Sequence, residues 1–200
     1  MRFETISFEA IKSISQRGLL RHWAGLAAGR RFPPLQEFSS DPRMHDPKQL
    51  VIWQVENTPG GRQFRALYQG DHLEQVFNSD WAGRTMEEIT PGCLKAYTSK
   101  TANHCIDSGC AVYSVLATPD PAGHRVDCER LLLPFGDGTG VRHILASLQL
   151  ISLAGNFERK SVLTHFKMQF EVVLAGTIAS HTVRQPVLAK PSMAAFGNGS

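Results

Sequence analysis

The sequence predicts an α+β fold: an antiparallel sheet whose strands fall in two groups with helices between them. Three observations predict it. Residues 50–55 and 62–69 read as strands, and the turn Asn57-Thr-Pro-Gly-Gly61 between them is short enough to make a hairpin. Residues 71–107 carry apolar side chains at helical rather than strand spacing. Three further strand signals, 111–118, 124–134 and 141–152, are joined only by Gly- and Pro-rich turns, which suits antiparallel neighbours. The coarse order is ββαααβββ.

Composition permits the core such a sheet needs. Hydrophobic residues make up 42% of the 200 residues and charged residues 20%, ordinary values for a chain that buries a core. This length suits one main domain with extensions. The divisions are an N-terminal helical segment (1–31), a domain (32–152) and a C-terminal extension (153–200) that is partly flexible. A net charge of +3 is too small to point to nucleic acid, so none is expected as a partner. The charge is uneven, because Arg2, Lys12, Arg17, Arg21, Arg30 and Arg31 face only Glu4 and Glu9 within residues 1–31. That is either a solvated helix face or a surface for an acidic partner. The first 17 residues contain no continuous apolar core of a leader. No apolar run approaches the roughly 20 residues that cross a bilayer. A cytoplasmic location without membrane insertion is the expectation, with Cys93, Cys105, Cys110 and Cys128 as reduced thiols.

The elements follow in order. A first helix runs over about 11–28, with Leu19, Trp23, Leu26 and Ala27 in one apolar stripe that Ile11 and Ile14 prolong. Gly29 stands at its C-cap, and Pro33 and Pro34 stop it. The stripe packs either on its own domain or against a second copy, which makes Leu19, Trp23 and Leu26 candidate dimer contacts. A linker rich in Pro, Ser and Asp leads to the first hairpin. Gly70 then breaks the chain, Asp71 is placed to cap a helix, and Leu73, Val76 and Phe77 give it an apolar face. Gly83-Arg84 closes that turn. Thr85 and Glu88 are spaced as a capping box for a short helix. A longer helix over 92–107 aligns Leu94, Tyr97, Thr101, His104 and Cys105, and Ser108-Gly109 ends it. After the last three strands, Phe166, Met168, Phe170 and Val172 alternate as a strand would, while Val162, Phe166, Phe170 and Val173 also fit a helix. Beyond about residue 184 no hydrophobic pattern remains, and flexibility is expected.

Local wording adds a resemblance. Leu19-Leu-Arg-His-Trp23 with Gly29-Arg-Arg-Phe-Pro33, then Asp41-Pro42, Gly61-Arg-Gln-Phe-Arg65, Gly70, Phe77, Gly83-Arg84 and Leu131-Leu-Leu-Pro134 occur in an order that resembles the PAS domain family. The likeness is to short single-PAS proteins of the alphaproteobacterial type, and it covers about residues 17–152. It implies a five-stranded antiparallel sheet with helices on one face. It also implies a non-catalytic module for signal sensing or protein docking, self-association as a homodimer and a protein signalling partner. A small apolar ligand is implied without an identified cofactor. Trp53, Tyr68, Phe77, Trp81, Tyr97 and His104 are the candidate lining of the ligand pocket. Ala66 and Tyr68 stand where relatives tend to carry an aromatic and an aliphatic residue. Trp81 replaces a smaller apolar residue, and its bulkier indole leaves two alternatives open, lining the cavity or filling it. A filled cavity would make the protein a ligand-free interaction adaptor.

Other chemistry is weighed on spacing. His104, Cys105, Cys110, His124 and Cys128 offer zinc-type ligands for a metal-binding protein or enzyme, but no paired C-x-x-C knuckle is present. Haem would need an axial histidine, for which His104 is the candidate. Asn103-His-Cys105-Ile does not match the cysteine motif of flavin photochemistry. Gly136-Asp-Gly-Thr-Gly140 runs into a strand rather than a helix, so it reads as a hairpin turn and not as a phosphate loop. No G-x-S-x-G or H-E-x-x-H pattern occurs.

Overall fold

Apolar runs in the C-terminal half build the centre of the sheet. A computed structural model describes residues 2–39, 46–120, 122–152 and 170–178. In chain order its elements are β1 (Glu4–Ile6), α1 (Ile14–Ala27), β2 (Leu50–Thr58), β3 (Gly61–Gln69), α2 (Asp71–Phe77), α3 (Met86–Ile89), α4 (Gly92–Ser108), β4 (Val112–Pro119), β5 (Arg125–Gly136), β6 (Val141–Ser152) and β7 (Glu171–Ile178). The strands form one mixed sheet in the order β1-β7-β4-β5-β6-β2-β3. The pairs from β3 through β2, β6, β5 and β4 are all antiparallel. These five strands, with α2, α3 and α4 between the two groups, are the arrangement the resemblance implies.

Two features correct the expectation. Among the described residues the sheet has seven strands rather than five, because β7 adds antiparallel to β4 and β1 adds parallel to β7. The segments on either side of residues 32–152 thus each contribute a strand to the same sheet. Gly176 makes the outer pair possible, since a Cβ there would lie 2.5 Å from the Glu4 carbonyl oxygen. The second correction concerns the helices, which occupy both faces. α1 covers the face opposite α2–α4, burying Leu19, Leu20 and Trp23 against Tyr113, Leu131, Leu133, Phe135 and Leu145. On the other face Trp53, Phe64, Trp81, Met86, Ala102 and Cys105 meet Leu132, Ile144 and Ala146. The switch between Leu131, Leu132 and Leu133 follows from the two-residue period of a strand, which sends successive side chains to opposite faces.

Polar links fix α1 to the sheet. The Gln16 amide donates to the carbonyls of Glu129 at 3.3 Å and Ser147 at 3.1 Å. The Ser13 N–H, at the N-cap, donates to the Glu129 carboxylate at 3.1 Å. Lys12 pairs with Asp127 at 2.6 Å, and the Trp23 indole donates to the Pro134 carbonyl at 2.8 Å. Leu19 and Trp23 are therefore buried in the chain's own core, and Leu26 is half-buried. Of the two partners open to the stripe, its own domain is the one that covers it here. Ile14, expected to prolong the stripe, is 85% exposed; Ile11 is fully buried but precedes the helix. The basic N-terminal residues also serve the fold. Arg17 donates to the Ile11 and Glu9 carbonyls, Arg30 pairs with Glu37, and Arg31 donates to the Asp107 and Ser108 carbonyls at the end of α4.

Local signals set most helix ends. The Thr85–Glu88 capping box is formed, and Gly109 closes α4 in the left-handed region at φ 62°. At α2 the cap is Gly70, not Asp71, which is already the first helical residue. Gly70 is needed because the chain passes so close to the Pro47–Gln49 turn that a Cβ would lie 2.4 Å from the Lys48 carbonyl. Of the two readings for the C-terminal pattern, 171–178 adopts the strand. Asp41, Pro42, Val162, Phe166, Met168 and the tail beyond 184 lie outside the described residues.

Candidate ligand-binding cavity

The loop between α2 and α3 brings two indoles together. Gln69, at the end of β3, accepts from the Trp81 N–H at 2.7 Å and donates to the Ser79 carbonyl at 3.0 Å. The Gly83 N–H donates to the Ala66 carbonyl, and the Ala66 N–H to the Arg84 carbonyl. This strap holds Trp81 over β2, with ring centroids 6.2 Å from Trp53 and 4.8 Å from Phe77. α3 and the start of α4 close the far side with Met86, Ile89 and Leu94. The floor is the sheet: Leu116 on β4, Cys128, Arg130 and Leu132 on β5, and Ala146 and Leu148 on β6. Between them is a cavity of about 370 Å³, within the roughly 300–1,000 Å³ of small-molecule sites.

Three of the six residues expected to line a pocket do so: Trp53, Phe77 and Trp81. Trp81 does not fill the cavity. Its buried indole stands as a wall beside Trp53, and the space remains. Tyr97 lies next to the site, under Arg130. Tyr68 is 41% exposed, and its hydroxyl donates to the Pro47 carbonyl at 3.3 Å, because β3 turns that position outward. His104 sits at the other end of α4. Its ring stacks on Phe3 at 3.8 Å and meets the Thr177 hydroxyl at 2.8 Å. Burial lowers its pKa, which favours the neutral ring.

Arg130 is the cavity residue that reading the sequence missed. The signal was there: Val126, Cys128, Arg130 and Leu132 share one face of β5, so a charge interrupts an inward-facing apolar series. Arg130 Nη2 donates to Thr101 Oγ1, and the guanidinium lies 5.5 Å from the Tyr97 ring centroid. Among the described residues its Nε is buried without a hydrogen-bond partner. Burial lowers the Arg130 pKa, against a weaker opposing effect of Tyr97 and the Cys128 and Cys105 thiols. Burial also pushes the Cys128 thiol up to about 12, so this cavity cysteine stays protonated and unreactive.

The other candidates separate in space. Cys105 is buried and donates weakly to the Cys110 carbonyl, while His124 pairs with Asp120 in the turn before β5. Among the described residues no group of three or more His, Cys, Asp or Glu side chains converges as a metal site. The Gly136–Gly140 segment is the β5–β6 hairpin turn. There Asp137 accepts from the Thr139 hydroxyl and backbone and from Arg142, which holds its carboxyl at about 2. A second cleft, of about 380 Å³, lies between this turn and residues Arg30–Pro34. Its charged groups are already engaged, Arg30 by Glu37 and Arg31 by the end of α4.

No protein-family model and no curated protein sequence matches the chain. Among solved structures it is similar to the Vibrio cholerae VqmA dimer, described in the context of LuxR-type receptors. Sequence identity is 18% and the TM-score 0.38, over 54% of this chain and 49% of that one. It is also similar to an RNA-binding Light-Oxygen-Voltage receptor, with 18% identity and a TM-score of 0.38 over 61% of this chain and 34% of that one. The chain thus spans about half and about a third of these structures, and a TM-score of this size does not define a shared fold. Among the described residues, no helix is long and apolar enough to cross a membrane.

Proposed function

We propose that the chain is a non-catalytic, PAS-type regulatory module that senses a small molecule in the cavity between its sheet and α2–α4. The observation that carries this reading is the cavity itself, about 370 Å³, walled by two tryptophans and left open by Trp81. Its titratable lining residues, Arg130 and the protonated Cys128, suit binding rather than bond-making. The space left beside Trp81 favours this reading over a ligand-free interaction adaptor.

Signalling then uses α1. The strand β5 carries Arg130 toward the cavity and its neighbour Glu129 toward the N-cap of α1. A ligand biases the packing of α1 only by binding one packing better than the other, and β5 is the element both sites share. Self-association and a downstream protein partner belong to this proposal, with a surface other than the buried Leu19–Trp23 stripe. A cytoplasmic location suits such a role.

A thermal-shift screen of the full chain against metabolites and neutral apolar compounds tests the reading. A ligand at a hundred times its Kd contributes about 2.7 kcal/mol, enough to raise Tm by several degrees in a chain of this size. At least one compound raising Tm in wild type, with the rise reduced when Leu148→Trp narrows the cavity, is the expected result. A panel without effect contradicts the sensing role.

A further inference from the structure

We infer that the cavity takes a small carboxylic acid with an apolar or aromatic body, and that Arg130 receives its carboxylate. This rests on the sensing role proposed above and names the class of ligand. The apolar requirement comes from the lining, where Trp53, Phe77, Trp81, Met86, Leu116 and Leu132 surround the space. The anionic requirement comes from Arg130. Arg130 is half-buried with its Nε enclosed, and a guanidinium in such an apolar setting is ordinarily matched by a carboxylate, because an unpaired charge away from water is destabilising. Here the groups around it are a hydroxyl, an aromatic ring and two thiols.

The nearby acids face elsewhere. Asp127 is held by Lys12 and Arg125. Glu129 points to the opposite face of the sheet, where Ser13 donates to it. Among the described residues, Arg130 Nε therefore remains a buried donor without an acceptor, and the side chain borders the cavity. A carboxylate entering the cavity supplies the missing acceptor and the missing charge together. The planar fork of arginine suits two parallel bonds to such a group. Thr98, also in the lining, uses its hydroxyl on the Leu94 and Lys95 carbonyls of its own helix, which leaves Arg130 as the cation for the ligand head.

Calorimetric titration of the full chain with decanoate and 4-phenylbutyrate, each against its uncharged primary amide, tests this. An acid binding wild type at least about tenfold more tightly than its amide is expected, a ratio suited to a charge-assisted hydrogen bond. Arg130→Met should abolish that ratio, and Arg130→Lys should restore part of it. Circular dichroism establishes that each variant is folded, and the acid-to-amide ratio in wild type needs no variant. Equal binding of acid and amide overturns the carboxylate assignment and leaves the sensing role standing. Failure of both acids, when neutral compounds stabilise the protein in the thermal screen, does the same. An acid preference that persists in Arg130→Met also overturns it, by placing the anion elsewhere. Failure of both acids and of the whole screen removes the sensing role as well.

Discussion

Glu129 and Arg130 are neighbours on β5, and each puts a charge-bearing side chain into an interior. Glu129 is fully buried. Burial raises its pKa, and this outweighs the neighbouring Tyr113 hydroxyl, the hydrogen bond from the Ser13 N–H and the nearby Lys12 charge. Burial raises the Tyr113 pKa too, reinforced by Glu129 itself. For an acid whose folded pKa lies above its unfolded one, stability is full below the unfolded value and declines as pH rises through the folded value. Glu129→Gln keeps an acceptor for Ser13 and removes the titration. Its Tm should match wild type near pH 4 and exceed it near pH 8, followed by thermal denaturation across that range. A Tm difference that does not change with pH contradicts this account. Trp53, Phe77 and Trp81 were legible through the resemblance, which puts aromatic residues of the inner sheet face and the helices around a pocket. Glu129 and Arg130 stayed hidden inside a strand read as apolar, since their roles depend on which face each side chain takes.

The elements divide by the reach of the forces that form them. Helix α3 was legible because its capping box is local, and the β2–β3 and β5–β6 hairpins because their turns are. The position of α1 was legible only as an amphipathic helix; its burial on the back of the sheet is tertiary. Gln16 shows why, as a polar residue in the buried stripe whose amide reaches two strand carbonyls. The β1–β7 pair was not legible at all. Three residues carry no period, and the partner lies at the other end of the chain. This pair depends on Gly176, so Gly176→Val should drive β1 off the edge and release the stacking of Phe3 on His104. Loss of amide protection in β1, at whichever of its alternate amides face β7, is the expected outcome in hydrogen exchange. A cost of about 1–3 kcal/mol is typical of such overpacking. Retained protection would show that the close approach is relieved by a small shift.

At the scale of the whole molecule, the described residues form a sheet between two unlike helical layers. On one side α2, α3 and α4 enclose the cavity, and on the other α1 is bound by buried polar links to β5 and β6. The sequence showed the central five strands and the helices between them, but not the second layer or the edge strands, because both arise from contacts between distant segments. This layered arrangement gives cavity occupancy a direct route to α1 through the shared strand β5. Interfaces of this kind switch between discrete packings rather than deform smoothly. Hydrogen–deuterium exchange of the full chain, with and without saturating decanoate, tests that coupling most directly. The account predicts slower exchange in α2–α4 around the cavity and a change across the sheet in α1, Ile14–Ala27. Protection confined to α2–α4, with α1 exchanging as before, would contradict it.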